Sequence, residues 1–221
     1  MIIVHHLNNS RSQRVLWLLE ELGLEYTVKR YERDARTRLA PPELKAIHPL
    51  GKSPVVEHDG HRIAETGAIV DYLLDLVPGT ALRPAPGTAE ARRMSYWLHY
   101  AEGSAMPPLV MKLIFNEMPK RVPTLIRPVA KAISKGMGQG YLDPQIASHV
   151  AYWQAELTAT GWFAGSQFSA ADIMMSFPLE AARSRAGLDA SRPHTIAWLD
   201  KVHARPAYQT ALAKGGPYAY A

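Results

Sequence analysis

Two kinds of hydrophobic spacing divide the chain. Up to Val77 strand-like and helix-like patterns alternate. Ile2-Ile3-Val4-His5 is a short β-prone run, and Tyr26-Thr27-Val28-Lys29-Arg30-Tyr31 alternates as a half-buried strand does. Between them Val15, Leu18, Leu19 and Leu22 recur at the spacing of one helix face, and Gly23 supplies a left-handed stop. Pro41-Pro42-Glu43-Leu44-Lys45 predicts a short helix with proline in its first turn. Pro54-Val55-Val56-Glu57 and Arg62-Ile63-Ala64-Glu65 flank Asp59-Gly60, a two-residue hairpin signal. A helix follows Thr66, with Ile69, Leu73, Leu76 and Val77 on one face. The order is β-α-β-α-β-β-α, and its first βαβ unit predicts parallel strands.

Pro78-Gly79 and Arg83-Pro84-Ala85-Pro86-Gly87 mark a linker, and no strand pattern follows it. Residues 88–116 predict a long helix that Pro107-Pro108 should kink or break. Lys120 to Lys135 is punctuated by proline and partly helical, and Gly136-Met137-Gly138-Gln139-Gly140 reads as a flexible break. Ile146, Val150, Trp153 and Leu157 form a helical core face, and Ser169-Ala170-Ala171-Asp172 has the form of a capping box. Thr195 to Ala204 is a further amphipathic helix closed by Pro206. The expected architecture is an α/β N-terminal domain over residues 1–78 and an all-α domain over residues 88–221.

Composition narrows the class. Of 221 residues, 47% are hydrophobic and 20% charged, which fits a globular chain and excludes a disordered one. No apolar run approaches the roughly 20 residues of a membrane span. Met1-Ile2-Ile3-Val4-His5-His6 lacks the features of a secretion signal, so a cytoplasmic address and no membrane partner are expected. There is no cysteine, which excludes disulfides, thiolate metal sites and a protein-borne thiol nucleophile. Any thiol chemistry must use a thiol that arrives with a ligand. The net charge of +5 comes from the second part, where Lys112, Lys120, Arg121, Arg127, Lys131 and Lys135 face only Glu117. Without a zinc-finger spacing or an RNA-binding aromatic signature, this segment reads as a solvated helix face, and no nucleic-acid partner is expected. His5 and His6 point to opposite faces of a strand, and His58 and His61 flank a surface turn, so no metal site is expected.

Three features carry candidate chemistry. Asn8-Asn9-Ser10-Arg11 lies between the first strand and first helix, where unpaired N–H groups favour an anion and Ser10 adds a hydroxyl. A serine there is also a plain cap, and Ser12 competes for either role. In Gly51-Lys52-Ser53-Pro54, a cis Ser53–Pro54 bond would aim the Ser53 N–H and C=O at an extended, peptide-like ligand, although spacing alone favours a trans proline opening a strand. At Glu65-Thr66, Thr66 would cap the third helix and offer its N–H groups to a carboxylate, while Glu65 accepts from an ammonium. The plain alternative is an N-cap beside a salt-bridged neighbour.

Together these segments resemble the glutathione transferase family. Arg14 to Tyr26 resembles its first helix and second strand, Glu43 to Pro54 its loop to a cis-proline, Glu65-Thr66 its Glu-Ser/Thr pair, and Ser169 to Ile173 its helical capping box. The resemblance implies a thioredoxin-like domain followed by a helical bundle, a homodimer, and glutathione as co-substrate. It casts Ser10 as the hydroxyl that stabilises the glutathione thiolate, with Asn9 as its near neighbour at a position where relatives carry cysteine or threonine. Ser53 with Pro54 would pair with the cysteinyl backbone, Glu65 and Thr66 would hold the γ-glutamyl end, and Lys52 and His48 the glycyl carboxylate. The activated thiolate would attack small hydrophobic electrophiles, a detoxifying transfer. Glutathione-dependent peroxide or disulfide reduction uses the same residues, and a non-catalytic protein-binding module with this fold is the alternative from another class. Tyr96, Tyr100, Met106, Met111 and Phe115 lie on the long helix that faces the first domain in this family and could line an apolar cleft, but a stripe of this kind at helical spacing is more often plain core.

Overall fold

The computed structural model describes residues 1–220. Its first part runs β1 (Ile2–Leu7), α1 (Ser12–Leu22), β2 (Tyr26–Tyr31), α2 (Leu44–Ile47), β3 (Val55–His58), β4 (His61–Ala64) and α3 (Thr66–Asp75). The sheet order is β2-β1-β3-β4. β1 runs parallel to β2, with Val4 opposite Val28, and antiparallel to β3, with Val4 opposite Val56. β3 and β4 close antiparallel through Asp59 and Gly60, whose φ values of 47° and 79° are those a tight hairpin demands. β1 extends two residues beyond the apolar run because its central place in the sheet hides both faces, His5 and His6 included. A small cluster of Leu7, Tyr31 and Leu44 seats α2.

The second part is helical: α4 (Ala89–Tyr100), α5 (Met106–Arg121), α6 (Arg127–Met137), α7 (Asp143–Thr160), α8 (Ala170–Arg185), α9 (Pro193–His203) and α10 (Pro206–Gly215). Pro107-Pro108 does not break the long helix. A π turn over Ala101–Ala105 joins α4 to α5, and the Met106 N–H reaches the Ala101 carbonyl five residues back. The two prolines then occupy the first turn of α5, where a missing N–H costs little. Gly136 to Gly140 is likewise no break, since a second π turn over Gly138–Leu142 carries α6 into α7. Lys112, paired with Asp143, crosses close to Gly138 there. Pro206 closes α9 but also opens α10, which packs along α1.

One continuous core joins the two parts, from Val15–Leu19 and Leu73 to Trp97, Trp153 and Ile173. α8 is its axis, with Ala170 to Ala182 buried all round. Its start is the capping box read from sequence: Asp172 accepts from the Ser169 N–H at 2.9 Å, and the Ser169 hydroxyl accepts from the Ala171 N–H at 3.3 Å. Among the described residues no helix is long and apolar enough to cross a membrane.

Candidate active site

A cleft of about 290 Å³ opens where the chain enters β3 and where α3 begins. His48, Leu50, Lys52, Ser53 and Pro54 form one wall, Ala64, Glu65 and Thr66 another, and Arg11 and Glu102 close the far side. Six of the residues singled out from sequence therefore share one space: His48, Lys52, Ser53, Pro54, Glu65 and Thr66. Asn9 and Ser10 do not line it.

The Ser53–Pro54 bond is cis, against the expectation from spacing alone and in line with the family resemblance. Gly51 precedes it at φ 58°, where a Cβ would come within 2.8 Å of the Lys45 side chain, so glycine is required. The Ser53 hydroxyl donates to the His5 carbonyl at 2.8 Å and accepts from the Leu7 N–H at 3.2 Å, which ties this loop to the end of β1. Among the described residues the Ser53 backbone N–H and C=O have no backbone partner, so both remain available along the cleft. The His48 Nδ1 accepts from the Leu50 N–H at 3.4 Å, which leaves Nε2 as the donor.

Thr66 does not cap α3. Glu65 occupies the cap position with φ 67° and ψ 123°, and Thr66 is the first helical residue; neither side chain bonds to the helix end. The sharp turn at Glu65 points the unpaired N–H groups of the first helical turn at the cleft wall, with an exposed carboxylate beside them. An anion and a cation held side by side fit this pair of groups.

The corner between β1 and α1 is a buried hydroxyl relay. The Ser10 hydroxyl lies 2.8 Å from that of Ser12 and accepts from the Ser12 N–H at 3.2 Å. The Ser12 hydroxyl lies 2.9 Å from His6 Nδ1. Burial, with the nearby Arg30 charge, pushes His6 down to about 4, so its ring is neutral near pH 7. The Gly215 backbone favours a proton on the other ring nitrogen of His6, which makes Nδ1 the acceptor. Ser12 therefore donates to His6, and the Ser10 proton is left to point at Ser12 or at another acceptor. Asn9 faces the other way: its side-chain carbonyl accepts from the Ala219 N–H at 2.7 Å.

Arg11 and Glu102 were not read from the sequence. Arg11 Nε donates to Glu102 at 2.7 Å, and the buried Arg14 also pairs with Glu102 while donating to the Met174 carbonyl at 2.7 Å. Burial raises the Glu102 carboxyl, but the two guanidiniums outweigh it and the net shift is downward, so it is ionised. Ninety-one positions separate Arg11 from Glu102, and only the isolation of Glu102 as an acid between Glu90 and Glu117 hinted at a special place. Tyr100 and Met106 are core residues, as their spacing indicated, with Met111 and Phe115 packed against the core and Tyr96 half exposed.

The fold matches known proteins over nearly the whole chain. The family description "Glutathione S-transferase, N-terminal domain" fits residues 1–75 and "Glutathione S-transferase, C-terminal domain" residues 118–206. The chain is 34% identical to Glutathione S-transferase 3 of Schizosaccharomyces pombe, with 97% of this chain and 88% of that protein covered. It is 35% identical to Glutathione S-transferase 1 of Saccharomyces cerevisiae, with coverage of 97% and 95%. A solved glutathione S-transferase from Actinobacillus pleuropneumoniae superposes with a TM-score of 0.83 at 31% identity, covering 100% of this chain and 95% of that one. A sphingomonad glutathione S-transferase solved with glutathione gives 0.73 at 25%, covering 97% and 98%. The chain belongs to the glutathione S-transferase family. It is an enzyme of that class, with a thioredoxin-like first part and a helical second part.

Proposed function

We propose that the cleft binds glutathione and that the first domain (residues 1–78) activates its thiol for transfer to a small apolar electrophile held against the helical domain (residues 88–221). The observation that carries this reading is the convergence of three complementary features in one cleft. The free backbone groups of Ser53 pair with the cysteinyl residue as a neighbouring strand would. The first turn of α3 at Thr66 receives the γ-glutamyl carboxylate, and Glu65 its ammonium. Lys52, with the His48 Nε2 proton, meets the glycyl carboxylate. The sulfur then lies toward the start of α1, where a turn of the Ser10 side chain moves its proton from Ser12 to the thiolate. Arg11, beside it in sequence and already in the cleft wall, adds positive charge.

The homodimer implied by the family resemblance and a cytoplasmic address belong to this reading, and no metal takes part in it. Conjugation of glutathione to a generic aryl halide tests it, alongside titration calorimetry of glutathione binding. Absence of glutathione binding would overturn the whole proposal. Peroxide reduction without aryl-halide conjugation would redirect it to the reductase chemistry that the same residues support.

A further inference from the structure

A second and larger cavity, about 860 Å³, lies between the connection from β2 to α2 and the outer half of α5. Its floor is apolar: Leu113, Ile114 and Met118 from α5 and Val122 just after it, with Tyr220 at one side. These α5 positions fall on one helix face. Contacts link it to the first cleft. The Arg11 guanidinium sits 5.4 Å from the centre of the Phe177 ring, and that ring meets the edge of Tyr220 at 5.7 Å.

Its charge is one-sided. Arg36, Arg38 and Arg121 line it against a single acid, Glu117. Glu117 is already held by Lys120 at 2.6 Å. That hydrogen bond, with the fields of Arg121 and Arg38 behind it, keeps the Glu117 carboxyl below its usual range. Asp34 is taken by its own loop, accepting from the Thr37 N–H at 2.6 Å and the Thr37 hydroxyl at 2.8 Å. Among the described residues none of the three guanidiniums has a carboxylate partner. The three guanidiniums are exposed, so a neutral apolar guest gains nothing from them, whereas a guest with a carboxylate offers a planar two-point partner.

We infer that this cavity selects electrophiles built as an apolar body bearing a carboxylate, so that such acids are the transferase's second substrates. The inference rests on the transferase reading above for turnover, but not for binding. In the reaction, the glutathione thiolate forms its S–C bond at the electrophilic carbon as the bond to a leaving halide breaks, and the halide departs with the electron pair. The carboxylate takes no part in that step and only positions the body.

Two measurements on the full-length protein separate the claims. Calorimetry compares biphenyl carboxylate with its uncharged amide in the presence of glutathione. Turnover compares a carboxylated bromomethylbiphenyl with its methyl ester. The expected result is about tenfold tighter binding of the acid than of the amide, the size of one charge-assisted pair, and a matching preference in kcat/KM. R36Q/R121Q should lower both ratios severalfold, leaving Arg38 as the remaining cation of the wall, and E117Q should raise them, since it removes the only acid of the wall. Equal ratios in the unmodified protein, or ratios indifferent to all three substitutions, would overturn the inference and leave the transferase reading intact. Arginine-dependent binding of the acid with no conjugation of either halide would instead sink the transferase reading and leave the cavity's selectivity standing.

Discussion

Replacing Ser10 with alanine removes the one hydroxyl that the buried relay leaves free to serve a ligand. A free cysteine thiol ionises at about 8.5, and holding it near about 6.5 requires roughly 2.7 kcal/mol of preference for the thiolate. A hydrogen bond to a charged group supplies about 1.5–3 kcal/mol, and the start of α1 adds about 0.3–1 kcal/mol. Ser10→Ala deletes the first contribution and keeps the second. The bound thiol should therefore titrate about 1–2 pH units higher. At pH 6.5 the thiolate fraction should fall from about half to between ~10% and ~1%. Ultraviolet titration of the thiolate in the complex reads this directly, and the acid limb of kcat/KM should move by the same amount. Ser12→Ala is the counterpart: it removes the competing acceptor of the Ser10 proton, so it should leave the sulfur pKa unchanged or lower it. The Ser12 N–H loses its acceptor in Ser10→Ala, a cost of about 1 kcal/mol, so a thermal melt accompanies the titration. An unshifted thiol in Ser10→Ala, with glutathione still bound, would refute the assignment and pass the role to Arg11.

Three further outcomes follow from the same geometry. Lys52→Gln should raise KM for glutathione several-fold with little change in kcat, since the glycyl carboxylate is bound equally in ground and transition states; a fall in kcat alone would contradict that placement. Burial raises Asp172 from 3.8 to about 6, so its contribution to stability is greatest below about pH 4 and is lost as pH rises through about 6, a swing of up to roughly 3 kcal/mol. Asp172→Asn puts an N–H donor against the Ser169 N–H and removes the titration. Urea unfolding should therefore show the gap between native protein and variant narrowing from pH 4 to 7, and a constant gap would argue against a raised carboxyl. His6 has the opposite sign: with its folded value near 4 against 6.5 unfolded, its contribution is full above about pH 6.5 and lost toward pH 4, again about 3 kcal/mol. His6→Asn should flatten that acid limb, and an unaltered limb would show that His6 does not carry it.

The first part was readable because β1 is a short β-prone run, β2 alternates, and α1 and the hairpin turn at Gly23 and at Asp59-Gly60, signals that act within a few residues. The capping box of α8 was readable for the same reason. Pro107-Pro108 marked where the α-helix is interrupted but not the form of the interruption, because proline removes a hydrogen bond locally, whereas the π turn before it reroutes the ladder over a longer span. The site split along the same line. Lys52-Ser53-Pro54 and Glu65-Thr66 announce themselves through short motifs. The cis bond drew support only from the resemblance, because a lone proline before a strand is by itself more often trans. Arg11 with Glu102 is a pairing made by the docking of α1 on the helical part, and no local pattern encodes it. Nor does any local pattern reveal that Thr66 starts its helix rather than capping it, which depends on the positive φ of Glu65.

The carboxylate of Glu102 grips Arg11 and Arg14 from the π turn between α4 and α5. One rim of the cleft thus belongs to a helix that the sheet does not contain. A fragment ending before the linker would keep every residue of the Ser53 and Glu65 walls and still present an unfinished cradle, its two guanidiniums released from their common anchor. Ligand capture in this protein is on that account a property of the assembled pair of layers, and damage to the helical layer far from any bound molecule would be felt first as a loss of grip.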